Sequence, residues 1–141
     1  MNILCTGNHN KNDFISIFNS ILQYINKTPH KLYIDQYVKD GLKNLNCKSE
    51  ILFKPSNKID FVVCLGGDGS ILQAVSKMKN CQIPILGIHI GELGFLNQST
   101  KTNYLESIKY ILSQKKILFD KHYLLNASIR YKNNALYKFN A

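Results

Sequence analysis

Two short stretches rich in glycine carry the side chains best suited to chemistry in this sequence. The first is GGDGS at residues 66–70, which follows the apolar run FVVCL and encloses Asp68 between glycines. A carboxylate at such a turn can accept a proton from an attacking hydroxyl or hold a divalent cation that bridges to phosphate. Both tasks point to phosphoryl transfer to an alcohol, in which positioning and charge neutralisation dominate. The alternative is structural, with Asp68 as a turn residue or a helix N-cap.

The glycines of this turn suit a close approach between the backbone and a ligand. The turn follows a predicted strand at 59–65 and precedes a predicted helix at about 70–79. It should therefore lie at the carboxyl edge of a parallel sheet, where ligands bind. Free N–H groups at the start of the helix favour an anion such as phosphate. The sequence contains neither the Walker pattern GxxxxGK[ST] nor GxGxxG, so this is a different kind of phosphate-side turn.

The second stretch is PILGIHIGELGFL at residues 84–96, which places three glycines among Leu, Ile and Phe. If its strand pairs with the preceding strong strand, the last two glycines reach the same sheet edge as Asp68. A tight and apolar loop of this kind suits a flat ring such as adenine or nicotinamide. The alternative is a packed connecting loop in which Phe95 and Leu96 belong to the core.

Hydrophobic spacing alternates between strand and helix along most of the chain. The predicted strands lie at 2–6, 31–34, 50–53, 59–65 and from Pro84. The predicted helices lie at 13–26, from the end of the second strand up to about Gly41, at about 70–79 and at 102–115. This order predicts an α/β fold, a Rossmann-like doubly wound parallel sheet. The strand at 59–65 is apolar on both faces, as expected of a central parallel strand.

The pattern changes after the last of these helices. Apolar and polar side chains then alternate around the sequence KNNA at 132–135, which predicts antiparallel β structure. We therefore predict a nucleotide-binding domain at 1–113 and the incomplete start of a β-rich C-terminal domain at 114–141. Several of its apolar side chains are expected to lack a partner sheet, among them Leu124, Ile129 and Tyr131.

Composition restricts the classes of function. The chain has 141 residues and a net charge of +9, with 17 lysines and Arg130 as its one arginine. The lysines are scattered and accompany no nucleic-acid motif, so we expect no nucleic-acid partner, although the positive field favours a polyanionic small ligand. A signal-peptide pattern and an apolar run of ~20 residues are both absent, which predicts a cytoplasmic protein without a membrane span. The spacing of the four cysteines (Cys5, Cys47, Cys64 and Cys81) argues against a disulfide framework or a zinc site.

The two glycine stretches together resemble the signature of the NAD kinase family, in which a GGDG turn is followed by a strand and a loop G-I-N-x-G-x-L-G-F-L. Here they stand as GGDGS at 66–70 and GIHIGELGFL at 87–96. Diacylglycerol kinases, sphingosine kinases and phosphofructokinases carry similar GGDG turns, whereas the LGFL loop selects the NAD kinases. TGNHNK at 6–11 also fits the family's first phosphate-side loop. The resemblance implies a Rossmann-like N-terminal domain followed by a β-rich C-terminal domain.

The resemblance also implies an activity and a set of site residues. In this family the γ-phosphoryl group of ATP is transferred to the 2′-hydroxyl of the adenosine ribose of NAD, giving NADP, with Mg²⁺ as the divalent cation. Asp68 carries over as the proton acceptor and catalytic residue. The predicted nucleotide-binding residues are Gly66, Gly67, Asp68, Gly69 and Gln73. No metal-ligating residue is predicted, and a homo-oligomer with NAD sites completed across subunits is expected.

Four positions depart from the family pattern. Ser70 replaces the usual Thr and keeps the hydroxyl, and His89 stands where the family has Asn, as a tolerated substitution. Gln73 and Glu92 stand where related sequences are often basic, which lowers the positive charge beside a site for polyanions. The family continues with an Asn-Glu motif and the rest of the β domain, whereas this sequence stops at KFNA. The alternative function is therefore a truncated, non-catalytic nucleotide-binding remnant of an NAD kinase.

Overall fold

A parallel sheet dominates the chain in a computed structural model, which describes residues 1–42, 51–52, 58–78, 82–91, 94–130 and 136–140. Its six strands follow the order β3-β2-β1-β4-β5-β6. The strands are β1 (Asn2–Gly7), β2 (Lys31–Ile34), β3 (Ile51–Leu52), β4 (Phe61–Gly66), β5 (Ile85–His89) and β6 (Ser99–Thr100). The helices are α1 (Phe14–Ile25), α2 (Gln36–Gly41), α3 (Asp68–Met78) and α4 (Tyr104–Ser113). The predicted α/β fold is confirmed.

The strand order reverses between β1 and β4, which are neighbours in the middle of the sheet. β1 pairs with β2 on one side, and β4 pairs with β5 on the other, all in parallel. Just beyond β1, the Asn8 N–H donates to the Leu65 carbonyl at 2.8 Å, so the two strand ends stay together. In open α/β sheets, ligands bind outside the carboxyl ends of the strands at such a reversal. The candidate site is therefore expected between the loop after β1 and the turn after β4.

β4 is buried along its whole length, as its uninterrupted apolar sequence predicts. On one face of the sheet, Val63 and Leu65 belong to the cluster that contains α1. On the other face, Cys64 packs with Ile71 and Ala74 of α3. Helices therefore cover both faces, and the sheet is doubly wound as predicted.

α1 follows the predicted helical spacing, because the apolar side chains three and four residues apart all face the core. The buried residues of the helix are Phe14, Ile17, Phe18, Ile21, Leu22 and Ile25. Burying a side chain of this size contributes about 1.5–3 kcal/mol to the stability of the fold. Because α1 begins where the loop after β1 ends, this packing anchors that loop at the carboxyl edge of the sheet.

The start of α3 and the presence of β6 differ from the sequence prediction. α3 begins at Asp68 rather than near residue 70, because the Ser70 N–H already donates to the Gly67 carbonyl at 2.9 Å. The turn glycine after Asp68 is therefore part of the first helical turn. β6 was not predicted, since its two polar residues, Ser99 and Thr100, present no apolar pattern. Its pairing with β5 depends on the neighbouring strand and not on its own sequence.

Downstream of α4 the chain forms an antiparallel hairpin of β7 (Asn126–Arg130) and β8 (Leu136–Asn140). The predicted antiparallel structure is confirmed in these strands. The predicted turn at 132–135, Tyr131 and the side chain of Ile129 lie outside the described residues. Residues 114–125 precede the hairpin without helix or strand and expose five large apolar side chains. These are Leu118, Phe119, Tyr123, Leu124 and Leu125.

Two of the four cysteines lie in described strands as buried free thiols, Cys5 in β1 and Cys64 in β4. Burial raises the pKa of both thiols, that of Cys64 to about 12, which makes them poor nucleophiles at neutral pH. Cys47 and Cys81 lie outside the described residues. Within the described part of the chain, no helix combines the length and the apolar content that a membrane crossing requires.

Candidate active site

The turn after β4 contains one packed glycine and two open ones. Gly66 has a φ of +156°, and a side chain at this position would overlap the Ser70 hydroxyl. A Cβ at Gly67 or Gly69 would meet no described atom within 4 Å. The fold therefore requires glycine at position 66, whereas Gly67 and Gly69 leave free space along the backbone, where a ligand can approach.

The loop that follows β5 holds the Asp68 carboxylate. Its Oδ2 accepts a hydrogen bond from the Phe95 N–H at 2.9 Å, and its Oδ1 accepts one from the Leu96 N–H at 3.0 Å. The Asn97 side-chain amide donates a third bond to Oδ1 at 3.1 Å. The backbone hydrogen bonds from Phe95 and Leu96 hold the pKa of Asp68 below its usual range. The Asn97 amide and the nearby His89 act in the same direction, so the carboxylate is ionised at neutral pH.

Gly94 permits this contact because it has no side chain. A Cβ built on Gly94 would overlap the Asp68 carboxylate. The prediction that the second glycine stretch reaches the same sheet edge as Asp68 is confirmed, since β5 pairs with β4. The packed-loop alternative applies to Leu96, which packs against the α3 cluster. It does not apply to Phe95, whose side chain is 100% exposed.

The hydrogen bonds described for Asp68 all run to the loop after β5 and none to its own helix. The N-cap alternative therefore finds no support in the described contacts. An ionised carboxylate offers about four lone-pair positions, and three are occupied, which leaves one for a ligand hydroxyl. A carboxylate with this geometry can orient a hydroxyl and accept its proton once the oxygen has begun to react.

A cleft of about 300 Å³ opens on the β1 side of the same turn. The described residues around it are Asn8, Lys11, Tyr37, Gly67, Gly69, Ser70 and Gln73. Three of the predicted nucleotide-binding residues, Gly67, Gly69 and Gln73, line this cleft. The other two do not line it, because Gly66 packs against the Ser70 side chain and Asp68 faces the loop after β5. Since no acidic side chain is among the described lining residues, the cleft suits an anionic ligand of small-molecule size.

Tyr37 reaches the cleft because Asp35 fixes the start of α2. The Asp35 carboxylate accepts hydrogen bonds from the Val38 N–H at 2.8 Å and from the Thr6 hydroxyl at 2.7 Å. Lys77 of α3 donates to the same carboxylate at 3.0 Å, and its ammonium lies 5.3 Å from the centre of the Tyr37 ring. No motif in the sequence indicates Tyr37, since its position depends on contacts among β1, α2 and α3.

Asn8 and Lys11 were indicated only as part of the TGNHNK stretch after β1, without a role for either residue. The structure brings both to the cleft, opposite the open glycines. The Asn8 N–H connects the loop to the end of β4 by its hydrogen bond to the Leu65 carbonyl. Within the loop, the Lys11 N–H donates to the Asn8 carbonyl at 3.2 Å. A charged residue in a loop that follows a central strand is the signal that could have singled out Lys11.

His89 is built into the base of the loop after β5. Its side chain is only 7% exposed, and its Nε2 lies 2.6 Å from the Gly91 carbonyl oxygen. Gly91 has a φ of +114°, a conformation that favours glycine. The histidine therefore supports the turn that begins the loop, which agrees with a structural role for this departure from the family pattern. Glu92 lies outside the described residues.

The described residues do not form a metal-binding cluster. No group of three or more His, Cys, Asp or Glu side chains that could hold an ion is found among them. Mg²⁺ in nucleotide enzymes is usually held by one or two carboxylates together with substrate phosphates. The one open acceptor position of Asp68 can serve such an ion or a ligand hydroxyl, but not both at once.

Comparison with known proteins decides the family to which this site belongs. The sequence model of the ATP-NAD kinase N-terminal domain matches residues 3–116, which is most of the chain. The chain belongs to the NAD kinase family. Both glycine stretches and all six parallel strands, apart from the first residue of β1, lie within the matched residues.

Curated NAD kinases are similar in the same region. The NAD kinase of Wigglesworthia glossinidia brevipalpis is 31% identical over 120 residues, which cover 85% of this chain and 40% of that protein. The NAD kinase of Bacteroides fragilis strain YCH46 is 40% identical over 77 residues, which cover 54% of this chain and 26% of that protein. The chain spans less than half the length of these relatives.

A solved structure has the same fold. The crystal structure of yeast NADH kinase complexed with NADH matches with a TM-score of 0.73 and 18% sequence identity, over 100% of this chain and 46% of that chain. At this identity, the likeness establishes the fold of this NAD kinase family member and not its ligand.

Proposed function

We propose that this chain is the nucleotide-binding N-terminal part of an NAD kinase. The reaction is the transfer of the γ-phosphoryl group of ATP to the 2′-hydroxyl of the adenosine ribose of NAD, giving NADP and ADP. One observation supports it above the others, the contact between the two family motifs. Asp68 of the first motif accepts hydrogen bonds from Phe95 and Leu96 of the second. An ionised carboxylate is thereby held beside a cleft suited to phosphate.

In the proposed reaction, Asp68 binds the 2′-hydroxyl at its remaining acceptor position. The 2′-oxygen attacks the γ-phosphorus, the bond from that phosphorus to the β–γ bridging oxygen breaks, and ADP leaves with the electron pair. The hydroxyl proton passes to Asp68 late, because the transition state is loose and the hydroxyl becomes acidic only as the new bond forms. The lowered pKa of Asp68 keeps the acceptor ionised at neutral pH.

The open backbone of the turn is the proposed binding place for nucleotide phosphates. Gly67 and Gly69 allow a phosphate to approach the N–H groups at the start of α3, where a negative charge is stabilised. Gln73 lies one turn further along α3 and offers a side-chain amide to the same cleft. Mg²⁺, held by the donor phosphates, would neutralise part of their charge.

We also propose a domain division between residues 113 and 114, a homo-oligomer and a cytoplasmic location. The division is supported by α4, which ends at Ser113 before the antiparallel hairpin begins. Exposed apolar side chains between residues 118 and 125 favour association with a second copy. The two buried free thiols suit a reducing compartment. Light scattering on the purified chain measures its mass, and a monomer at all concentrations would contradict the oligomer.

Formation of NADP by the 141-residue chain with NAD, ATP and Mg²⁺ tests the proposed activity. We expect turnover by the wild type and its loss in Asp68→Asn, because the amide cannot accept the proton. Binding of NAD, measured by calorimetry, should survive in this variant. Asp120→Asn removes an exposed carboxylate far along the chain and is the matched control. An Asp68→Asn variant that remains active rules out the proton-acceptor role.

A second candidate is a nucleotide-binding chain without turnover. It is favoured by the length of the match, since the chain spans 40% of the Wigglesworthia NAD kinase and the matched family model is the N-terminal domain alone. In this case the folded chain binds NAD or ATP and forms no NADP. A folded chain that binds neither nucleotide would contradict both candidates.

A further inference from the structure

Asn97 supplies the one side-chain hydrogen bond that the structure describes at Asp68. Its Nδ2 donates to Oδ1 of the carboxylate at 3.1 Å, whereas the other two donors are the backbone N–H groups of Phe95 and Leu96. Asn97 follows the second glycine stretch, which ends at Leu96, so neither motif assigns it a role. Because a backbone N–H survives most substitutions, the Asn97 amide is the part of this contact that a substitution can remove.

The strand β5 holds the Asn97 side chain in place. A Cβ built on Gly87 would lie 2.8 Å from Oδ1 of Asn97 and 3.1 Å from its Cα, so the missing side chain lets Asn97 pack directly on the strand. Next along the chain, the Gln98 N–H donates to the Gly87 carbonyl at 3.2 Å, and the Gly87 N–H donates to Oε1 of Gln98 at 3.1 Å. Contacts with β5 therefore set the position of the amide, independently of Asp68.

The charge of Asp68 fixes the orientation of this amide. An ionised carboxylate only accepts hydrogen bonds, so Nδ2 must face it, and the reversed amide would place Oδ1 of Asn97 against a negative charge. In the observed orientation, this Oδ1 is buried and has no hydrogen-bond partner among the described residues. The bond to Asp68 is thus the one polar contact described for the Asn97 side chain.

The two oxygens of the Asp68 carboxylate are unequally occupied. Oδ1 accepts two hydrogen bonds, from the Leu96 N–H and from Asn97, whereas Oδ2 accepts one, from the Phe95 N–H. Each carboxylate oxygen has about two acceptor positions. Oδ1 is therefore full, and the open position lies on Oδ2. Without the Asn97 amide, each oxygen would have one open position and the carboxylate would offer a hydroxyl two places to bind.

We infer that Asn97 is a positioning residue that occupies Oδ1 of Asp68, so that the acceptor hydroxyl binds and delivers its proton at Oδ2 alone. The inference rests on the proposed function, which it deepens by assigning the proton acceptor to one atom. As the 2′-oxygen bonds to phosphorus, its O–H bond breaks and an Oδ2–H bond forms. Oδ1 remains an acceptor in the resulting acid, so Asn97 and Leu96 keep their hydrogen bonds and nothing needs to rearrange during transfer.

A carboxyl titration followed by NMR tests the contact without requiring turnover. The full 141-residue chain is labelled with ¹³C at the aspartate carboxyl groups, and Asp68→Asn identifies the signal. Asn97→Leu keeps the shape of the side chain and removes its donor, and Asn97→Ala removes both. Gln98→Ala is the matched control, because it loosens the same loop from β5 without touching Asp68. His89, whose charge also lowers the pKa of Asp68, stays in place in every variant.

We expect the pKa of Asp68 to rise in both Asn97 variants, since the carboxylate loses a donor, and to keep its wild-type value in Gln98→Ala. Circular dichroism checks that each variant is folded, and the two Asn97 substitutions provide independent chances of a folded protein. An Asp68 pKa that stays unchanged in a folded Asn97 variant would overturn the inference. An equal rise in Gln98→Ala would overturn it as well, because loosening of the loop would then account for the effect.

Kinetics of NADP formation measure the consequence for proton transfer. We expect Asn97→Leu to lower kcat about 10-fold, as for the loss of one hydrogen bond to a charged group, with little change in the KM for NAD. The acid limb of its kcat/KM profile should move to higher pH together with the pKa of Asp68. A loss of stability alone would leave the position of that limb where it is in the wild type.

The two readouts separate this inference from the proposed function. If the pKa of Asp68 responds to Asn97 as expected but the chain neither binds NAD nor forms NADP, the proposed function fails while the positioning of Asp68 by Asn97 stands. If NADP is formed and the kcat and pH profile of Asn97→Leu equal those of the wild type, the inference fails while the proposed function stands.

Discussion

The two loops that flank the glycine turn use their polar groups in opposite ways. The loop after β5 directs the N–H groups of Phe95 and Leu96 inward to Asp68, so its donors are occupied within the protein. The loop after β1 leaves Lys11 and the neighbouring polar residues facing an open cleft. One loop therefore fixes the Asp68 carboxylate, and the other lines an open cleft. The proposed reaction requires both kinds of loop, because it needs a fixed proton acceptor and room for a polyanion.

The glycines of the site divide in the same way. At positions 66 and 94 a side chain would overlap the protein itself, whereas at positions 67 and 69 it would enter free space. Glycine is thus required for packing at the first pair and leaves room for a ligand at the second. This difference can be tested by adding one methyl group at a time.

The largest effect is expected from Gly94→Ala. Its methyl group would displace the Asp68 carboxylate from the loop, and a shift of about 1 Å in a reacting group can lower the rate about 100-fold. NADP formation by the purified variant measures the effect, with circular dichroism to confirm folding. Gly94→Ala with the kcat of the wild type would show that the loop does not position Asp68.

A smaller effect is expected from Gly66→Ala, which combines a positive φ with an overlap at Ser70. We expect it to lower the free energy of unfolding by about 1–3 kcal/mol, as for other residues forced into sparsely populated backbone conformations. Denaturant unfolding measures this change. Gly67→Ala is the matched control next in the chain, and its stability should equal that of the wild type while its phosphate binding weakens. Equal destabilisation by both substitutions would remove the distinction between packed and open glycines.

The smallest effect is expected in the pH dependence of stability. The folded pKa of Asp68 is lowered by its hydrogen bonds, whereas the unfolded value is about 3.9. Its contribution is therefore fully present well above pH 4 and is lost as the pH falls through the folded pKa. Unfolding of the wild type and of Asp68→Asn at neutral pH and near pH 3 tests this. The wild type should be the more stable at neutral pH, and the difference should shrink in acid; a constant difference would contradict the prediction.

Much of the fold could be predicted because its strongest elements are locally encoded. β4 is apolar throughout since both of its faces are buried, and α1 carries apolar residues at helical spacing since one side faces the core. β6 could not be predicted, because two polar residues form a strand only where β5 offers its edge. The same holds for Tyr37, which lines the cleft through the contacts of Asp35.

The sequence by itself determined that a carboxylate lies between glycines at the junction of a buried strand and a helix. It did so because strand burial, glycine flexibility and helix initiation depend on neighbouring residues. Only the tertiary structure decided where that carboxylate points. Its three hydrogen-bond donors lie 27 to 29 residues away along the chain. They reach Asp68 because β5 pairs with β4 in register.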